Sequence, residues 1–196
     1  MSRRLRALAA AGALAFGGCA SISHFHGIPL DATAVYVANV PALRQTSAFA
    51  CGPTCVATVA ASLGVVPARL PRGDPKLSGD CNAQDLVALA GTLGLRAYAY
   101  ESDMGDLEAQ LRRGRAMIVM IPQPLVPAGG VVGHVIVEAW NALGPKPAHW
   151  VVVVGLEPDG DVILHDPAAG PVVMRRAAFL RHWRAEGHLS VLLTGA

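Results

Sequence analysis

Charge and aromatic rings are both scarce in this 196-residue chain: 15% of the residues are charged and 5% are aromatic. The net charge of +2 is close to neutral once the basic N-terminus is set aside. Nothing resembles a nucleic-acid footprint, which needs Lys and Arg clustered on one face, with or without interleaved aromatics. Internal repeats and low-complexity tracts are missing. Glu138 and Glu157 show no paired-carboxylate pattern. Cys51-x-x-x-Cys55 with no matching His pair is not a zinc-ligand spacing, and His24 and His26 make a sparse metal site at best. No metal or organic cofactor is called for. What is abundant is apolar side chain, 53% of the total. That is enough for one sizeable core in a chain long enough for one domain plus a targeting segment.

Residues 1–20 read as that targeting segment. Arg3, Arg4 and Arg6 form a positive region, and Leu8 to Phe16 is an apolar run too short to span a bilayer, the pattern of an export signal. Gly17-Gly18-Cys19 resembles a bacterial lipobox, with Phe16 where Leu is usual, so Cys19 is expected to be lipidated. Ordinary cleavage after Ala20 is the alternative. Ala20 behind the cysteine lacks the Asp of an inner-membrane retention signal. The expected location is therefore the bacterial cell envelope, as an outer-membrane lipoprotein facing the periplasm, or otherwise periplasmic or secreted, with membrane contact only through the lipid. Cys51, Cys55 and Cys81 remain. An odd number of thiols in an exported protein suggests one reactive thiol and one bridge. Cys51 and Cys55 sit one helical turn apart, which is poor disulfide geometry, so a Cys55–Cys81 bridge is the better pairing.

Residues 21–33 read as a polar tether and 34–196 as the folded domain. Val35 to Val40 alternates like a strand ended by Pro41. Cys51-Gly52-Pro53 opens an apolar helix to Leu63, closed by Gly64. Residues 65–81 are a loop rich in Pro, Gly and Asp, and Asn82 caps a helix through Leu93. A strand over 95–100, an amphipathic helix over 103–111 and a buried strand over 116–121 follow. The stretch 122–147 mixes Pro and Gly with an apolar run. A hairpin then joins 149–156 to 161–165 through Glu157-Pro158-Asp159-Gly160. Residues 175–184 read as a helix and 189–193 as a last strand. Helices early and antiparallel strands late describe an α+β domain whose two halves face each other across a cleft.

Two segments carry chemistry. A thiol at the start of a helix feels the positive end of the dipole and nearby N–H groups, which favour thiolate, the nucleophilic form. Cys51 is so placed. Gln45, six residues upstream, can fold back so that its amide lies beside the sulfur and forms, with the Cys51 N–H, a two-donor oxyanion hole. Taken alone, a buried cysteine opening an apolar helix would look the same. The second segment is the hairpin, whose outer ends carry His149 and Asp166. Folding back brings those ends together, and a carboxylate beside an imidazole fixes its tautomer and stabilises imidazolium. His165 should point to the opposite face, since neighbours in a strand alternate. His134 opens its own apolar run without a matched carboxylate and is the second candidate base.

Together the segments resemble the papain-like peptidases that process double-glycine leader peptides of bacteriocins, and their stand-alone exported relatives. The resemblance rests on Gln45, five intervening residues and Cys51-Gly52-Pro53, then on His149-Trp150 followed by four valines and Gly155. It continues through Asp166-Pro167-Ala168 to Gly170, and Phe179-Leu180 with Trp183 is similar to the family's closing helix. It covers about Val35 to Leu193. It implies a papain-like fold, an N-terminal helical half packed on a C-terminal antiparallel sheet. It implies Cys51 as nucleophile, His149 as general base, Asp166 as its orienting partner and Gln45 as oxyanion donor. Cys55 matches a cysteine that is not the nucleophile in such relatives. The implied partner is a peptide or protein substrate, cut after small residues. The segment 126–148 is longer than the family leads one to expect, and its Gly129-Gly130 superficially resembles a cleavage site. The same fold also suits an acyltransferase, in which an amine replaces water, or a catalytically silent peptide-binding module of an envelope assembly or secretion system.

Overall fold

A computed structural model describes residues 22–24, 33–47, 49–65, 81–122 and 147–195. The signal segment with Cys19, His26, most of the 65–81 loop, and His134 with Gly129-Gly130 lie outside the described residues.

The strands are β1 (Ile22–His24), β2 (Val35–Tyr36), β3 (Arg96–Glu101), β4 (Met117–Pro122), β5 (Ala148–Leu156), β6 (Val162–Asp166), β7 (Gly170–Met174) and β8 (Leu189–Thr194). The helices are α1 (Cys51–Ser62), α2 (Ala83–Thr92), α3 (Met104–Arg112) and α4 (Arg176–Ala185). Among the described residues the strands form one antiparallel sheet in the order β1-β7-β6-β5-β4-β8-β3, with β2 added to the far end of β5.

From His149 to Leu156, β5 is buried at every residue. Successive side chains of a strand point to opposite faces, so both faces of the sheet are covered: α1 packs on β5 and α4 on β4. Such strands read as unbroken apolar runs, as Trp150 to Val154 does. α1 is apolar nearly all round and buries Val56 to Ala60. α2 begins where its cap chemistry dictates: the Asn82 side chain accepts from the Gln84 and Asp85 amides, and Asp85 accepts from the Asn82 amide. That reciprocal box satisfies donors a helix start leaves open. On α4, Phe179 and Trp183 are fully buried with ring centres 5.2 Å apart, and the indole N–H bonds the Leu189 carbonyl at 3.3 Å, tying helix to β8.

Four features depart from the sequence reading. β2 is shorter than the expected strand over 35–40, because a turn at 38–39 ends it before Pro41 does. β7 goes unforeseen, since Pro171 within a short run argues against a strand; it is nevertheless paired with β6 from Val162↔Met174 to Asp166↔Gly170. Residues 22–24 are not tether: they pair with β7 at the sheet edge, from Ile22↔Met174 to His24↔Val172. Cys51, Cys55 and Cys81 are all thiols, so the Cys55–Cys81 bridge is not formed. Cys55 is instead completely buried and donates its S–H to the Trp150 carbonyl at 3.2 Å.

Candidate active site

Cys51 is the first residue of α1, and no side chain caps that helix start or adds negative charge to its first turn. The open N–H groups are therefore left to face the sulfur. The Gly52 and Trp150 amides both bond it, and so does the His149 ring. Burial raises the Cys51 thiol pKa, but these hydrogen bonds and the charge of His149 outweigh it and hold the thiol below its ordinary range.

His149 is buried at the near end of β5, and its Nε2 lies 2.9 Å from Asp166 Oδ1 on the last residue of β6. With Nε2 committed to the carboxylate, Nδ1 is the ring atom left for Cys51. Burial would lower the His149 pKa. Hydrogen bonds to Asp166 and Cys51, together with their charges, lift it to about 9. Asp166 is in turn fixed by its own turn. Its Oδ1 accepts from the Ala168 amide at 2.7 Å and the Ala169 amide at 3.1 Å. Burial would raise this carboxyl, but His149 and those two amides keep it below the usual carboxylate range. The three groups form a chain of thiol, imidazole and carboxylate in which the ion-pair form is favoured at neutral pH.

Gln45 sits on the extended segment leading to α1. Its backbone N–H bonds the Pro167 carbonyl at 2.9 Å, and its side-chain Nε2 donates to the Ser47 carbonyl at 2.9 Å. One amide hydrogen is thereby used and the other remains to donate. Cys55 stays protonated, because burial and the neighbouring charges of Cys51 and Asp166 push its pKa well up. His165, beside Asp166 on β6, is buried with its Nδ1 unpartnered, and burial lowers its pKa against a raising contribution from the Pro41 backbone.

Trp150 entered the sequence motif only as the neighbour of His149, with no role of its own, and proves to hold the site together. Its indole N–H bonds the Cys81 carbonyl at 2.8 Å, its carbonyl takes the Cys55 S–H, and its amide meets the Cys51 sulfur. A side chain at Gly52 would come within 3.2 Å of Trp150 Cδ1 and 2.9 Å of Leu86 Cδ1, which is why glycine follows the nucleophile position. Its adjacency to His149 was the signal available. Among the described residues, no group of three or more His, Cys, Asp or Glu side chains is arranged to hold a metal ion.

Helices packed on an antiparallel sheet are the mixed architecture of solved C39 papain-like peptidases. The Peptidase C39 like family model matches residues 37–191, and the chain belongs to that family and thus to the cysteine peptidases. Three solved structures share the fold. A protein of Bacillus anthracis assigned as a C39-like peptidase is 17% identical with TM-score 0.58, over 83% of this chain and 98% of that one. The peptidase domain of Streptococcus ComA, a bifunctional ABC transporter of a quorum-sensing pathway, is 20% identical with TM-score 0.55, over 79% and 97%. A double-glycine motif protease from an AMS/PCAT transporter, solved with its leader peptide, is 19% identical with TM-score 0.50, over 80% and 92%. No curated protein matches the chain.

Proposed function

We propose that the chain is an exported peptidase that cuts a peptide or protein substrate through a Cys51 thioester, with Cys19 lipidated and the domain held at the periplasmic side of the outer membrane. The observation that carries the reaction is the 2.9 Å contact of His149 Nε2 with Asp166 Oδ1, at a ring also bonded to Cys51. The Cys51 thiolate attacks the scissile carbonyl carbon, and the Cys51 N–H and Gln45 hold the oxyanion. As the C–N bond breaks, imidazolium gives its proton to the leaving amine. Neutral His149 then takes a proton from water, whose oxygen attacks the thioester. The carboxylic product leaves and the ion pair is restored. Cleavage after small residues is proposed from the double-glycine protease that shares the fold.

The test separates thiolate from turnover. Iodoacetamide should label Cys51 well below pH 8.5, the range of an ordinary thiol. Hydrolysis of a peptide-Gly-Gly-coumarin amide should fall as pH rises through about 9, where His149 loses the proton the leaving group needs. Labelling, which needs only thiolate, should not fall there. An ordinary thiol profile at Cys51 would remove the mechanism.

Gln45→Ala should lower hydrolysis about 10²- to 10³-fold, the usual effect of losing one oxyanion donor. The iodoacetamide profile should stay that of the wild type. A shifted profile would mean that Gln45 acts on the thiol and not on the oxyanion.

A further inference from the structure

Arg44, next to Gln45 on the segment leading to α1, is exposed, yet its guanidinium has a seat. A Cβ at Gly170 would stand 2.8 Å from Arg44 Nη1 and 4.0 Å from its Cζ. The seat exists because residue 170 is glycine. Its φ of +92° is one that other residues rarely adopt, and a side chain there would push the guanidinium away. The same stretch is held a second time, where the Gln45 amide bonds the Pro167 carbonyl at 2.9 Å. Arg44 and Gln45 therefore both rest on the 166–170 turn, the first by its side chain and the second by its backbone.

That turn is the one that fixes Asp166, whose Oδ1 lies 2.9 Å from His149 Nε2. Gly170 is the register partner of Asp166, and such partners have Cα atoms about 5 Å apart. Arg44 Nη1 thus stands within about 10 Å of the Asp166 Cα, the reach of roughly three extended residues.

Among the described residues the ion pairs are Arg112 with Glu108 and His149 with Asp166, so Arg44 spends its charge on no carboxylate there. Burial raises the Asp166 carboxyl, and what lowers it is His149 with the Ala169 and Ala168 amides; Arg44 has no share in that balance. A planar guanidinium that is exposed and held in place suits a carboxylate arriving from outside. The chemistry decides which part of a substrate comes to this side. His149 gives its proton to the leaving amine, so the residues after the scissile bond set out from the histidine, and the histidine is backed by the 166–170 turn. We infer that Arg44 is a specificity-determining residue that takes an acidic side chain on one of the first three residues after the scissile bond. This rests on the peptidase mechanism proposed above, which assigns no preference to that side of the cut.

The probes are internally quenched peptides with Gly-Gly before the scissile bond and Glu, Gln or Lys placed in turn at the three positions after it. At the best position the wild type should favour Glu over Gln in kcat/KM by about two- to fivefold, the scale of an exposed ion pair. The preference should shrink at high salt. Arg44→Gln should remove it, and Arg44→Glu should turn it towards Lys. Each ratio compares substrates within one variant, so a general loss from a disturbed turn cancels. Three results would each overturn the inference: a wild type that cuts the Gly-Gly coumarin amide but shows no preference for Glu, a preference that survives Arg44→Gln, or an Arg44→Glu variant that does not favour Lys. Wild-type protein that cuts neither the peptides nor the coumarin amide would bring down the mechanism, and the inference with it.

Discussion

His149→Ala should abolish turnover and return Cys51 to the behaviour of a buried thiol. Hydrolysis of the Gly-Gly coumarin substrate is expected to fall by roughly four to six orders of magnitude, the loss seen when a nucleophile's base is removed from an acyl-transfer site. Iodoacetamide labelling should shift up in pH by more than in any other variant. The reason lies in the balance at the sulfur. Burial is the largest influence on Cys51 and acts to raise its pKa, and the His149 hydrogen bond and charge are the main opposing forces. The Gly52 and Trp150 amides remain in the variant but carry no full charge. A labelling profile that stayed low in His149→Ala would assign the thiolate to the helix start alone and would leave His149 with a proton-transfer role only.

Gly155→Ala should be the most destabilising of the single-methyl changes. A Cβ there would stand 2.6 Å from the Val35 carbonyl oxygen, 2.9 Å from Tyr36 Cδ2 and 3.0 Å from Ile163 Cδ1. The first contact is with backbone, which cannot swing aside as a side-chain tip can. It falls at the register shift between Val153 and Gly155, where β5 is bent and pairs with β6 on one side and β2 on the other. Overpacking of this kind costs about 2–4 kcal/mol, which for a domain of this size is a fall in Tm of about 5–15 °C. Thermal unfolding followed by circular dichroism checks it. Unchanged Tm would mean that β2 contributes little to stability. Cys51 labelling should survive in the folded fraction, because Cys51, His149 and Asp166 lie at the other end of the hairpin.

The parts of the fold that were legible are those specified over short distances. Asn82 with Asp85 announces α2 by its own hydrogen bonds, and Asp103 does the same for α3 by accepting from the Asp106 amide at 2.8 Å. The turn at Glu157-Pro158-Asp159-Gly160 fixes the hairpin and thereby brings its two ends together. β7 was hidden because what makes it a strand is pairing with β6 and not its own composition. β1 was hidden because Ile22-Ser23-His24 is short and polar, and only β7 gives it a partner. The site divides in the same way. Residue type and spacing pointed to Cys51, His149, Asp166 and Gln45, and the structure brings the first three into one hydrogen-bonded chain. The bond of Gln45 to Pro167 and the three roles of Trp150 depend on tertiary approach. The expected disulfide failed for that reason too: counting thiols could not reveal that the Cys55 S–H already has a carbonyl partner in the core.

The pairing of β1 with β7 changes what an acyl anchor at Cys19 would do. The sequence alone reads residues 21–33 as a polar tether between that anchor and the domain. Ile22 already belongs to the sheet, and only three residue steps separate it from Cys19, a reach of roughly 10 Å at full extension. With Cys19 lipidated as proposed, the β1–β7 edge would ride almost flush on the membrane surface. The enzyme would patrol a thin layer in two dimensions, selecting substrates that are themselves held at, or delivered to, that same surface.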